Sequence, residues 1–217
     1  MSSHVVWKQP YDAAADLVLR RALEKLQCEV RELPTQVWDA RTASISGVRD
    51  SLCSYVSPAA AEWSSVLLHL NALMGDGFMG DLLAAELSKV TGAPSIVFYE
   101  YDQATWGYAL FEVGAESDRF WSIPEVVEMD AALVRGTPAK LSSLFSVPDS
   151  DITPYLQHLD PESPEELKAF PEDEFALNDH WVRVDFMRRL GLEYPSPGST
   201  AGGRYVQIIE LRTSLTR

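Results

Sequence analysis

A chain of 217 residues, 46% of them hydrophobic, is long enough to bury one sizeable core or two small ones. Its formal charge of −14 sets the surface against nucleic-acid phosphate and anionic lipid, so neither is an expected partner. No stretch approaches the ~20 consecutive apolar residues of a membrane helix, and the opening MSSHVVWKQPYDAAAD has no basic region followed by an apolar run, so neither a span nor a secretory signal is expected.

In chain order, His4–Lys8 reads as a short strand. Pro10 then opens a helix with Asp12 in its first turn, and Leu17, Val18, Leu19, Ala22, Leu23 and Leu26 give it a broad apolar stripe as far as Cys28. Thr35–Ser46, with β-branched residues and a tryptophan, predicts a strand. Asp50–Ser57 alternates as a strand does, and Glu62–Leu70 is strand or helix, its apolar run being too short for periodicity to decide. The three glycines of Asn71–Gly80 predict a loop. Asp81 is the expected N-cap of a helix whose face carries Leu83, Leu87 and Val90, and Gly92 with Pro94 ends it.

The most patterned stretch runs from Gly92 to Glu125. Ser95–Tyr101 places Ile96, Phe98 and Glu100 on one face and Val97, Tyr99 and Tyr101 on the other. Trp106–Gly114 places Trp106, Tyr108, Leu110 and Glu112 opposite Gly107, Ala109, Phe111 and Val113, and the small pair Gly107 and Ala109 leaves room for a helix or an aromatic ring. Asp118–Pro124 completes a three-stranded antiparallel meander, in which the aromatic residues serve as cross-strand partners and core. Further on, 130–136, 138–147, 151–159 and 163–170 read as short helical pieces. The two around Pro148 have a helix-turn-helix-like spacing, but they are too poor in Lys and Arg to read DNA. A helix then starts after Asn178 or Asp179, carries Trp181, Val184, Met187 or Arg188, and Leu192 at helical spacing, and ends at Gly191. Arg204–Arg212 is a last strand that returns to the sheet. The layouts of the first and second fifty residues hint at two similar halves.

The charge is uneven. Between Asp149 and Asp179 ten acidic residues face one Lys168. A run of this kind is either a solvated linker or a recognition surface for a cationic protein. The second reading makes Glu162, Glu165, Glu166, Glu172, Asp173 and Glu174 the candidate partner-binding residues.

The order Leu87-Ser88, an apolar strand ending in Asp102, Tyr108-x-Leu110, Gly114, Asp118–Phe120 and Ser122-x-Pro124 resembles an uncharacterised bacterial α+β module. The resemblance covers about forty residues and implies no catalytic residue. In layout and charge the chain also resembles the small acidic immunity proteins that block secreted toxins.

Chemistry-bearing motifs are sparse. There is no P-loop, dinucleotide fingerprint, H-E-x-x-H or G-x-S-x-G. Gly75–Asp81 has neither the lysine of a phosphate loop nor the acidic spacing of a calcium loop. His4, His69, His158 and His180 are scattered, and His158 and His180 with Asp160 or Asp179 have no regular ligand spacing. Ser88 and Ser122 have no evident base. Cys28 and Cys53 stand in unlike contexts, form no C-x-x-C and are expected reduced.

The sequence therefore predicts one α+β domain over 1–217: a mixed, mostly antiparallel sheet packed by helices in 1–125, a helical, acidic subregion in 126–203, and a returning strand in 204–212. No cofactor, metal or catalytic residue is assigned. The leading expectation is a cytoplasmic protein-binding module, an immunity or regulatory protein for a basic partner. A small hydrolase or metal-dependent enzyme with acidic ligands, and a structural subunit of an assembly, are the alternatives.

Overall fold

The computed structural model describes residues 2–32, 51–69, 73–74, 77–160, 167–194 and 203–210. The first strand, β1 (Ser2–Trp7), leads into α1 (Ala13–Lys25) and β2 (Cys28–Glu32). β3 (Ser51–Ala60), β4 (Trp63–His69) and a two-by-two hairpin, β5 (Leu73–Met74) and β6 (Gly77–Phe78), precede α2 (Met79–Thr91). The meander follows as β7 (Ser95–Tyr101), β8 (Thr105–Glu112) and β9 (Ala115–Trp121). Short pieces, α3 (Pro138–Phe145), α4 (Asp149–Ile152) and α5 (Val182–Arg189), lead to β10 (Arg204–Glu210).

Eight strands form one sheet in the order β2-β10-β3-β4-β1-β7-β8-β9. Every ladder among the described residues is antiparallel. The fold is α+β. Within Glu62–Leu70, ambiguous by periodicity, Trp63–His69 is a strand because it lies between β3 and β1, where both of its edges find ladder partners. The last strand does return to the sheet, one place in from the edge, between β2 and β3. Each helix of the N-terminal half is followed in sequence by strands, but β10 interrupts the first set while β7, β8 and β9 are consecutive neighbours. The predicted strand at Thr35–Ser46 lies outside the described residues.

Both faces of the sheet are covered. On one, Val5, Trp7, Val97, Tyr99, Ala109, Phe111 and Trp121 pack with Leu19 and Leu23 of α1 and Leu83 and Leu87 of α2. On the other, Val6, Ile96, Phe98, Trp106, Tyr108, Leu110 and Phe120 pack with Leu141, Ile152, Tyr155, Val182, Phe186 and Leu190. The two-residue alternation of the meander thus feeds two cores at once, which is why β7 and β8 read as almost continuously buried. Each such large side chain contributes about 1.5–3 kcal/mol when fully buried.

Glycine is required at two close approaches. A Cβ on Gly107 would lie 2.3 Å from the Phe120 carbonyl and 2.7 Å from the Trp121 indole, so the ring for which β8 leaves room is Trp121. A Cβ on Gly80 would lie 2.9 Å from Ser3 Oγ, and glycine there lets α2 sit close to β1.

Several boundaries differ from the sequence reading. Asp12 is the N-cap of α1, accepting from Ala14 and Ala15 N–H at 2.8 and 2.9 Å. α2 begins at Met79, and Asp81 is a first-turn residue whose carboxylate goes to Tyr99 and Arg119 and caps nothing. Residues 130–136 form no helix. Their backbone serves the edge of β9, with Trp121 N–H donating to Val134 and Gly136 N–H to Arg119. Residues 167–170 are irregular, and 161–166 lie outside the described residues. On α5 the buried face carries Val182, Phe186 and, beyond the helix, Leu190, so Trp181 and Val184 are not on it. No helix among the described residues is long and apolar enough to cross a membrane.

Candidate interaction surface

The motif positions of the meander are engaged in holding it together. Gly114 N–H donates to Ser88 Oγ at 2.8 Å, tying the β8–β9 turn to α2. Tyr108 donates to Asp118 Oδ2 at 2.7 Å, and Asp118 also accepts from Thr137 N–H and Oγ1, strapping the entry of α3 to β9. Ser122 Oγ accepts from Trp106 N–H and bonds Thr105 Oγ1 at 2.9 Å. Asp102 and Gln103 turn the chain with φ of 52° and 57°. This stretch is a scaffold whose polar side chains close turns.

At its rim lies a denser cluster. Tyr99 donates to Asp81, Arg119 Nη2 donates to Asp81 Oδ1 at 3.1 Å, and Arg119 grips Glu116 through Nε and Nη2 at 3.1 and 2.6 Å. Tyr99 also stacks on Trp121 with centroids 5.1 Å apart. Burial raises the Asp81 pKa against the pull of Arg119, and burial with the adjacent carboxylate pushes the Tyr99 phenol well above its ordinary value. Burial works against the Arg119 charge, but Glu116, Tyr99 and Asp81 outweigh it and hold the guanidinium firmly protonated. The cluster joins α2, β7 and β9 and takes up Asp81 Oδ1 with two donors.

The acidic cover uses its carboxylates in two ways. Four aspartates close backbone N–H groups of irregular chain: Asp130 accepts from Ala132, Asp173 from Phe170, Asp179 from Trp181 and Asp185 from Phe175, at 2.8–3.1 Å, and of these Asp173 and Asp185 are buried, while Asp149 and Asp160 are exposed. Longer glutamates point outward, with Glu125, Glu128, Glu172, Glu174 and Glu193 all exposed. Asp173 is therefore corrected: its side chain is only 4% exposed, and it accepts from Tyr155 Oη at 2.7 Å and from Arg189 Nη2 at 3.2 Å, so it is not a solvated contact residue. Glu172 and Glu174 are 64% and 65% exposed and pair with Arg189 at 2.5 Å and Arg188 at 3.8 Å. The Arg189 hydrogen bond lowers the Glu172 pKa. Glu162, Glu165 and Glu166 lie outside the described residues.

The described side chains of His4, His158 and His180 do not converge. His158 Nε2 meets the Val134 carbonyl at 3.1 Å, and His180 lies 3.5 Å from Asp179. Among the described residues no three His, Cys, Asp or Glu side chains come together as a metal site would require. A cleft of about 530 Å³ beside α3 is lined by Lys8, Leu110, Glu112, Lys140 and Ser143, with no histidine or aspartate in its wall. Cys28 is buried, with its Sγ 3.6 Å from the Leu26 carbonyl.

What the residue pattern did not signal is a cluster where β1 meets α5. His4 is fully buried, and neither ring nitrogen has a hydrogen-bond partner. Burial and the nearby Arg183 charge push its pKa down to about 3. Arg183 is itself 3% exposed, donates to the His180 carbonyl at 2.6 Å, and lies over the rings of Trp181 and Tyr194 at 4.7 and 5.5 Å. The signal for this was weak: an arginine one residue past Val182 on a helix whose 182/186/190 spacing turns it inward.

Comparison with protein-family models, curated proteins and solved structures finds no match to this chain.

Proposed function

We propose that the chain is a protein-binding module, of an immunity or regulatory kind, whose partner is a basic protein. The observation that carries this reading is the sorting of charge in the layer that covers the second core. Residues 122–194 hold fifteen carboxylates against six basic side chains. Arg183 is turned inward into its aromatic contacts and Arg189 pairs with Asp173 and Glu172, while the described glutamates, Glu125, Glu128, Glu172, Glu174 and Glu193, are exposed. Such a field attracts a cationic surface, speeds the encounter and weakens as salt rises. The resemblance in layout and charge to toxin-blocking immunity proteins agrees with it. A cytoplasmic setting belongs to the same proposal.

The test replaces Glu162, Glu165, Glu166, Glu172 and Glu174 together by glutamine and leaves Asp173 in place. Wild-type protein immobilised in extract of its source cells is expected to retain a basic protein at low salt and release it as salt is raised, and the glutamine variant to retain little of it. Equal retention of the same proteins by both would overturn the reading.

A further inference from the structure

Four of the five described tryptophans, Trp7, Trp63, Trp106 and Trp121, are core residues, whereas Trp181 is 38% exposed. Its ring is nevertheless fixed. The Arg183 guanidinium lies 4.7 Å over it, Tyr194 meets it edge-on at 5.9 Å, Phe175 flanks it at 6.3 Å, and its backbone N–H is held by Asp179 Oδ1 at 2.8 Å. Arg183 has no carboxylate within ion-pair distance among the described residues, so its buried charge is answered by ring faces and by the His180 carbonyl. A buried cation spent on holding a half-exposed indole leaves a rigid aromatic surface whose ordering cost is met before any partner arrives. Rings of this kind, fixed and amphipathic, dominate the energetics of protein interfaces.

The surroundings set the occupant. Glu174 and Glu193, both exposed, adjoin in sequence the Phe175 and Tyr194 that flank the ring, and Asp179 holds the Trp181 N–H, while Glu174 also pairs with Arg188 at 3.8 Å. An anionic segment is repelled there. A segment that lays an apolar side chain, or the alkyl stem of a lysine or arginine, on the indole and sends its charged heads to the rim is matched in both respects.

We propose that Trp181 is the apolar anchor of a docking surface for a basic protein segment in which apolar side chains alternate with Lys or Arg. The inference rests on the charge reading above and adds to it what holds the partner once it has arrived. Charge governs the encounter, and the anchor governs the residence time.

The probes are two synthetic peptides of equal length and charge, one of lysine and glycine, the other of lysine and leucine, titrated by fluorescence anisotropy at low and at physiological salt. Wild-type protein is expected to bind the leucine peptide about tenfold more tightly than the glycine peptide, as burial of apolar side chains implies. W181A is expected to bind both peptides equally, with the salt dependence of the glycine peptide unchanged. W181F, which keeps a ring, is expected to keep part of the preference, and circular dichroism melts of both variants report whether the fold is retained. A preference that survives intact in W181A overturns the anchor alone. Failure of both peptides to bind wild-type protein at low salt overturns the charge reading, and this inference with it.

Discussion

The two faces of the sheet are covered in different ways. On one, α1 and α2 are regular helices of 13 residues each, which satisfy their own backbone and present Leu19, Leu23, Leu83 and Leu87 to the core. On the other, the cover is built from α3, α4 and α5, of 8, 4 and 8 residues, joined by irregular chain. Irregular backbone cannot satisfy its N–H groups by repetition, and a buried N–H left unpaired is costly. Aspartates do that work on this face, and arginines answer the aspartates. A high acidic count in such a segment therefore has two sources, local hydrogen bonding, as by Asp173 and Asp185, and outward charge, as on Glu172 and Glu174.

The contrast is open to attack at several points. The largest effect is expected at His4, which faces the irregular cover through Tyr194 at 5.6 Å. In the unfolded chain it takes a proton near pH 6.5, and in the folded protein only near 3. Between these values the unfolded state binds more protons. The stability contributed by neutral His4 is complete above the unfolded pKa and is lost as pH falls toward the folded one. The slope is about 1.4 kcal/mol per pH unit, about 5 kcal/mol in all at most. His4→Leu should remove that component from urea unfolding measured across the range, and an unchanged profile would show that His4 is not held neutral.

Next, Asp173→Ala should cost about 2–5 kcal/mol, because it leaves the Tyr155 hydroxyl and the Phe170 N–H without their acceptor and takes from Arg189 one of its two carboxylates. On the helical face Leu83→Ala should cost a similar amount, about 2–5 kcal/mol, by leaving a cavity. Denaturant midpoints for the pair compare an electrostatic keystone with an apolar one. A loss below about 1 kcal/mol for Asp173→Ala would mean that the irregular face does not depend on its aspartates. Gly107→Ala comes third, at about 1–3 kcal/mol, since its methyl must displace the Phe120 carbonyl or the Trp121 ring. Last, Glu172→Gln with Glu174→Gln should shift stability by no more than about 0.5 kcal/mol, both side chains being largely exposed. A thermal melt lowered as far as that of Asp173→Ala would erase the distinction between the two kinds of acid.

Much of the architecture could be read from local pattern. The meander was legible because two-residue alternation survives in β7 and β8 even with both faces buried, and its short loops leave antiparallel pairing as the simplest result. The stop of α2 was legible because Gly92 takes a φ of 65° that other residues adopt only at a cost. Asp81 was misread as a cap because capping propensity is a local statistic, and the pull of Tyr99 and Arg119 comes from strands 18 and 38 residues away. Trp181 was placed on the wrong side of α5 because its spacing with Val184 and Met187 fits a helix as well as the 182/186/190 stripe does, and only packing against Phe98 and Trp106 selects between them.

By itself the sequence determined the α+β class, the antiparallel meander, the helical and acidic character of the last third and the return of the final strand, since these follow from periodicity, turn residues and composition within short windows. Tertiary structure alone decided that β10 enters between β2 and β3, that Asp173 is a buried keystone while Glu172 and Glu174 face solvent, and that Arg183 holds Trp181 at the surface. The physical reason is range. Periodicity fixes which side of an element a residue occupies, but the pairing of a charge or a hydrogen-bonding group is fixed by whatever the rest of the chain brings within about 3 Å of it.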